Sequence, residues 1–171
     1  MVSDRYELTS QGEAAERIAD KYGFDRDALD DFAAESHRRA AASTDAGYFR
    51  AETVAVPVAD LCEKDWDGPR DVLEADQTIR RDTSREKLWT LKTSFREGGR
   101  VTAGNASQIS DGAAVVLLAS EAAVKRFGLT PLALVRSVAV VGADPALMLE
   151  GPIAASRKAA ALAGLSFDDI D

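Results

Sequence analysis

Residues 100–120 read RVTAGNASQISDGAAVVLLAS, and the stretch changes character at its middle. Up to Asp111 and Gly112 it is a polar run of small residues, and from Ala113 the chain is apolar for seven residues. A continuous, β-branched apolar run of that length fits a strand buried on both faces, as in a parallel sheet. The loop before it is either a plain polar connection or a surface placed for a ligand. Asp111 and Gly112 read as a turn between the two, not as a catalytic acid.

Downstream, Ser120 is positioned to cap a helix over EAAVKRFG that closes at Gly128, and Pro131 prevents its continuation. ALVRSVAVVGA, residues 133–143, reads as a second strand. Gly151 and Pro152 open a further helix that stops at Gly164. Strand, helix, strand, helix implies parallel neighbours in an α/β sheet. Two buried strands do not make a sheet covered on both faces, so further strands are expected from another chain or from a larger protein.

Upstream, the pattern is helical. Ala15, Ile18, Ala19 and Tyr22 recur at helical spacing and stop at Gly23. Asp25 is a good N-cap for a second helix with Leu29, Phe32, Ala33 and Ser36 on one stripe, ending near Gly47. ETVAVPV alternates as a short strand, with Pro57 at an edge or strand end. Residues 59–78 show no clear period and read mostly as loop. Thr83 and Glu86 have capping-box spacing at the start of a short helix carrying Leu88, Trp89 and Leu91. Residues 1–100 therefore read as a helical, loop-rich subdomain with little sheet.

Composition narrows the function. With 171 residues and 46% hydrophobic content the chain has material for a core. No apolar run approaches the length of a membrane span, and MVSDRYELTS has neither the basic nor the apolar region of a secretion signal, so no membrane partner and a cytoplasmic location are expected. One cysteine, Cys62, excludes an internal disulfide and a cysteine-based zinc site, and one histidine, His37, argues against a histidine-rich metal site. No metal is expected.

The net charge of −8 is uneven. Residues 1–79 hold 9 Lys and Arg against 19 Asp and Glu, while residues 80–100 hold 7 against 3. An acidic chain repels nucleic acid, so none is expected as a partner, and a small phosphorylated ligand suits the local basic segment better. The competing reading is that Arg80, Arg81, Arg85, Lys87, Lys92, Arg96 and Arg100 pair with the acidic first half.

Three motifs carry a family resemblance. VTAGNASQISDGAAVVLLASEAAVKRFGLTPLA closely resembles the VTAGNAS-x-x-x-DGAA run of the thiolase family. GADPALMLEGPIAASRKAAALAGLSFDDID is similar to the passage that opens the C-terminal half in that family. AERIADKYGFDRDALDDFAAESHRRAAASTDAGYF resembles its inserted loop domain. The resemblance covers nearly the whole chain, with the motifs in the family's order.

What the resemblance implies is an α/β fragment of the αβαβα layered fold, with a helical, loop-rich subdomain that binds coenzyme A. Residues 1–100 correspond to the loop domain that covers CoA, 101–130 to the last strand and helix of the N-terminal half, and 131–171 to the first strand and helix of the C-terminal half. The implied activity is acyl transfer between CoA thioesters, either condensation with acetyl-CoA or thiolysis of a 3-ketoacyl-CoA, through a cysteine nucleophile and oxyanion holes. No separate cofactor is implied, because the CoA thioester is the substrate. Complementary thiolase segments or a homo-oligomer are the implied protein partners.

The family's nucleophilic cysteine and its N-E-A-F, G-H-P and C-x-G motifs do not occur in this sequence, so no catalytic residue is assigned and the chain alone is expected to be inactive. Cys62 does not substitute: Asp60, Glu63 and Asp65 disfavour a thiolate, and an incidental thiol is the better reading. His37 matches a structural helix position. By resemblance, Arg80 falls near the nucleotide end of CoA, where a guanidinium suits phosphate. Leu88 and Phe95 match apolar positions lining the pantetheine channel, and Ala103 and Ser107 match contacts to the pantetheine amides. The alternative is a non-catalytic relic or interaction module that retains only the CoA-binding loop domain.

Overall fold

Ser10 and Gly23 set the limits of the first helix, α1 (Gln11–Tyr22). The Ser10 hydroxyl accepts the Glu13 N–H at 3.2 Å, and Gly23 closes the last turn at φ +68°, a backbone region that favours glycine. The structure, a computed structural model, describes residues 5–58 and 72–170. Cys62 and most of the expected 59–78 loop lie outside the described residues.

The chain divides into two compact units, one formed by residues 1–23 and 107–171, the other by residues 24–106. In the first, α1 packs against a 3-10 turn, Pro145–Glu150. Thr9 Oγ1 donates to the Ala146 carbonyl at 3.2 Å, and Lys21 Nζ meets the Glu150 carboxylate at 2.8 Å. The first helix thus shares a unit with the C-terminal segment, whereas the sequence division groups it with residues 24–100. Its buried positions are Gly12, Ala14, Glu16 and Ala19, so of the expected stripe Ala19 is buried while Tyr22 is exposed. Gly12, Glu16 and Ala19 follow the four-then-three spacing of one helix face.

The same unit holds α4 (Glu121–Phe127), capped by Ser120 and closed by Gly128, and α5 (Gly151–Ala163), closed by Gly164. Both helices match the sequence reading. The two strands expected beside them do not appear as strands: residues 113–119 and 133–143 carry no ladder, and Val115 is 97% exposed. A strand exists by pairing its N–H and C=O groups, and among the described residues no segment pairs with either run.

The second unit is built on α2 (Arg26–Asp45), whose N-cap Asp25 accepts the Ala28 N–H at 2.8 Å. Its single buried residue is Asp30, while Phe32 on the expected apolar stripe is exposed. β1 (Val56–Pro57) pairs antiparallel with β2 (Val72–Leu73), with Val56 opposite Leu73. The short helix α3 (Arg85–Trp89) starts one residue later than the capping-box spacing suggests. Ser84 is its N-cap, and Thr83 instead donates its hydroxyl to the Arg80 carbonyl at 2.8 Å. α2 packs against α3. Among the described residues the buried apolar side chains are Ala14, Ala19, Leu88, Val101 and Ala146, so polar contacts carry much of the order in each unit.

Candidate functional site

The centre of the second unit is a tight turn over Thr102–Asn105, the TAGN of the quoted stretch. The Asn105 N–H donates to the Thr102 carbonyl at 3.3 Å, closing four residues into a turn. The Asn105 side chain then turns back: Oδ1 accepts the Thr102 N–H at 2.8 Å, while Thr102 Oγ1 accepts the Gly104 N–H at 3.2 Å. Side chains of Thr and Asn bonding the backbone in this way fix a turn without help from a ladder. Ala103 stands exposed at the apex.

Gly104 lets the turn approach α3. A Cβ at this position would lie 2.4 Å from Leu88 Cδ2 and 2.6 Å from Leu91 Cδ1. Leu88, expected to line a ligand channel, is 6% exposed and sits against Gly104. The segment after α3 is held to the turn by a bridge between Thr93 and Thr102 and by Ser94 N–H donating to the Val101 carbonyl at 2.9 Å. That segment, Leu91–Glu97, lines an open depression of about 660 Å³ that includes Phe95, half of whose surface is exposed.

Beneath the turn lies a polar node that the sequence reading did not single out. Asp30 has no solvent exposure. Its Oδ2 accepts Arg26 Nε at 2.6 Å, and its Oδ1 accepts Asn105 Nδ2 at 2.9 Å. Arg26 also donates to the carbonyl of Leu88 and, at 3.3 Å, to that of Leu91, satisfying acceptors at the end of α3, and its guanidinium lies 5.5 Å from the Trp89 ring centroid. A buried carboxylate is tolerated only when charge and hydrogen bonds compensate it, and both are present. The signal in the sequence was Arg26 four residues before Asp30, beside apolar Leu29 and Ala33.

The basic segment divides between two roles. Arg81 holds Asp45 with two nitrogens at 2.8 Å each, Arg85 pairs with Asp27 and with Asp31, and Lys87 meets Asp82 at 2.7 Å. Hydrogen bonding from Arg81 lowers the Asp45 pKa, and that from Lys87 lowers the Asp82 pKa. Pairing with the acidic helix α2 thus accounts for Arg81 and Arg85. Arg80 and Lys92 form no ion pair among the described residues. The Arg80 backbone N–H donates to His37 Nδ1 at 3.2 Å, which gives the expected surface histidine of α2 a structural contact and anchors the chain where the exposed Arg80 projects.

The geometry brings Leu88, Phe95 and Ala103 into one bridged neighbourhood. Arg80 lies elsewhere in the same unit, beside His37. Ser107 falls in the first unit, exposed and outside regular structure. Among the described residues no group of His, Cys, Asp and Glu is arranged to hold a metal ion, and no helix is long and apolar enough to cross a membrane.

Among the described residues the chain is helix-rich with one small antiparallel sheet, and comparison with known proteins defines the class. The family model of the thiolase N-terminal domain matches residues 1–122, and the chain belongs to the thiolase family. It is 45% identical over 163 residues to a 3-ketoacyl-CoA thiolase of Saccharophagus degradans, covering 95% of this chain and 40% of that one. It is 41% identical over 170 residues to an acetyl-CoA acetyltransferase of Chromobacterium violaceum, covering 99% and 42%. The crystal structure of human mitochondrial 3-ketoacyl-CoA thiolase in complex with CoA matches with a TM-score of 0.81 at 38% identity, covering 96% of this chain and 40% of that one. The chain therefore has the fold of a thiolase segment and spans about 40% of the length of the relatives it matches.

Proposed function

We propose that this chain supplies the CoA-binding portion of a thiolase-type acyltransferase, acting in condensation or thiolysis of acyl-CoA thioesters. The observation that carries the proposal is the locked Thr102–Asn105 turn bridged to the Leu91–Glu97 depression. Phe95 offers apolar surface there, and Ala103 offers a small residue at the apex, where a pantetheine chain with its two amides needs close backbone approach. Arg80, free of ion pairs among the described residues, would hold phosphate at the nucleotide end. Leu88 supports the turn from below, and Ser107 is assigned to an amide contact on the family resemblance alone.

The family's N-E-A-F, G-H-P and C-x-G motifs do not occur in this sequence, and the proposal assigns the chemistry to complementary thiolase segments. The exposed apolar runs at Val115–Leu118 and around Leu134–Val140 support such a partner, because they have strand character and no strand pairs with them among the described residues. A homo-oligomer of the assembled enzyme and a cytoplasmic setting belong to the same proposal.

Calorimetric titration of CoA into the purified chain tests the binding claim, with saturable binding expected and its absence at millimolar CoA overturning it. The chain alone is expected to give no thiolysis of acetoacetyl-CoA. Turnover without added segments would remove the need for a complement. Translation of the DNA flanking the reading frame is expected to show an active-site cysteine upstream and a G-H-P motif downstream. If CoA fails to bind and the flanks lack both, the chain is a relic or interaction module.

A further inference from the structure

We propose that Arg26, Asp30 and Asn105 form a positioning network that presets the Thr102–Asn105 turn, so that Ala103 meets the pantetheine amides of a CoA thioester in a fixed geometry. The inference rests on the CoA reading above and concerns residues that touch no ligand themselves.

The hydrogen-bond inventory dictates the identity of Asn105. One side-chain amide donates to Asp30 Oδ1 at 2.9 Å and to the Arg100 carbonyl at 3.0 Å, while its oxygen accepts the Thr102 N–H at 2.8 Å. Only a group with two donors and an acceptor on one carbon meets all three demands. A carboxylate at 105 would face the Asp30 carboxylate without a proton between them, and an alanine would leave the Thr102 N–H and an Asp30 oxygen unmet in buried surroundings.

Asp30 passes the constraint to the helix. It has no exposure, and its other oxygen is held by Arg26 Nε at 2.6 Å. Arg26 in turn binds the carbonyls of Leu88 and Leu91, the residues against which Gly104 packs. The node therefore fixes the turn from two directions, through the Asn105 side chain and through the surface on which Gly104 rests. Within the Thr102–Asn105 turn the exposed residue is Ala103. Ordering a four-residue turn at the moment of binding would subtract its lost conformational freedom from the affinity, and a preset turn avoids that loss.

The test uses Asn105→Ala in the full chain with two probes, CoA and adenosine 3′,5′-bisphosphate, which carries the nucleotide end without pantetheine. Deuterium exchange at the Thr102 and Gly104 amides is read alongside. The expected result is faster exchange at Thr102 with α2 still protected, CoA weakened on the order of tenfold, and the bisphosphate changed by less than about twofold. Equal weakening of both probes, or CoA affinity unchanged in a wild-type chain that binds it, overturns the network while leaving the CoA reading intact. A wild-type chain that binds neither probe overturns the CoA reading and this inference with it. Thr102→Val keeps the side-chain shape and removes the acceptor for the Gly104 N–H, so it repeats the measurement should Asn105→Ala not fold. It is expected to speed exchange at Gly104 and to weaken CoA selectively, and normal CoA binding by a folded Thr102→Val chain with a mobile Gly104 amide overturns the proposal.

Discussion

Gly104 and Leu88 approach so closely that a Cβ on residue 104 would stand 2.4 Å from Leu88 Cδ2. A second leucine, Leu91, blocks escape to the other side at 2.6 Å. Gly104→Ala is therefore overpacked, and the expected cost is about 1–3 kcal/mol. Leu88→Ala removes the obstacle while making its own cavity. In a double-mutant cycle followed by urea unfolding, Gly104→Ala should cost less in the Leu88→Ala background than in the wild type. Additive effects would show that the contact does not set the glycine.

Arg80 and Arg81 are adjacent and are expected to behave differently. Arg81 is engaged by Asp45 on α2, so Arg81→Ala should lower the melting temperature slightly and leave CoA affinity within about twofold. Arg80 has no ion pair among the described residues, so Arg80→Ala should leave stability unchanged and weaken CoA by roughly tenfold at low ionic strength. Added salt screens an exposed guanidinium and phosphate, and the difference between wild type and Arg80→Ala should narrow as salt rises. Titrations at two salt concentrations check this, and an unchanged dissociation constant at low salt refutes the role of Arg80.

Acid should unfold the chain through its paired carboxylates. Glu35 accepts hydrogen bonds from Arg38 and from Arg39, which together hold its pKa at about 2 against an ordinary 4.5. Glu7 is lowered by Arg17, and Glu150 by Lys21. A carboxylate whose folded pKa is depressed stabilises the fold above its unfolded pKa and loses that contribution as pH falls toward the folded one. For Glu35 the window runs from 4.5 down to about 2. The melting temperature should fall across that window, and Glu35→Gln should flatten the fall. A Glu35→Gln chain with the wild-type acid profile would show that the pair contributes nothing, as many exposed pairs do.

Helix ends were legible in the sequence because capping is local: Gly23, Asp25, Ser120, Gly128 and Gly164 act where their residue types indicate. The buried faces were less legible. Apolar periodicity selected Phe32 and Tyr22, yet both are exposed, because a stripe is buried only if another element covers it. Asp30 shows the reverse case, a carboxylate at full burial whose justification lies 75 residues away in Asn105. Within the quoted stretch the family resemblance implies ligand contacts at Ala103 and Ser107. In the structure Gly104 and Asn105 serve the turn from within, and Ala103 is the part left outward.

The apolar run that decided the fold leads to the last prediction. Val115 is 97% and Leu117 77% exposed in this chain, although their residue types suit a strand buried on both faces. Side chains already in water lose no burial when replaced, so Val115→Thr and Leu117→Gln should change the stability of the chain by less than about 0.5 kcal/mol. If complementary thiolase segments are added and pair with this run, the same side chains become buried on the order of a full Val or Leu, and each substitution should then weaken association by about 1.5–3 kcal/mol. Urea melts of the chain alone, followed by binding of the complementary segments to each variant, separate the two states. Large destabilisation of the isolated chain would mean that residues 113–119 are already buried without a partner, and equal binding by wild type and variants would remove the run from the interface.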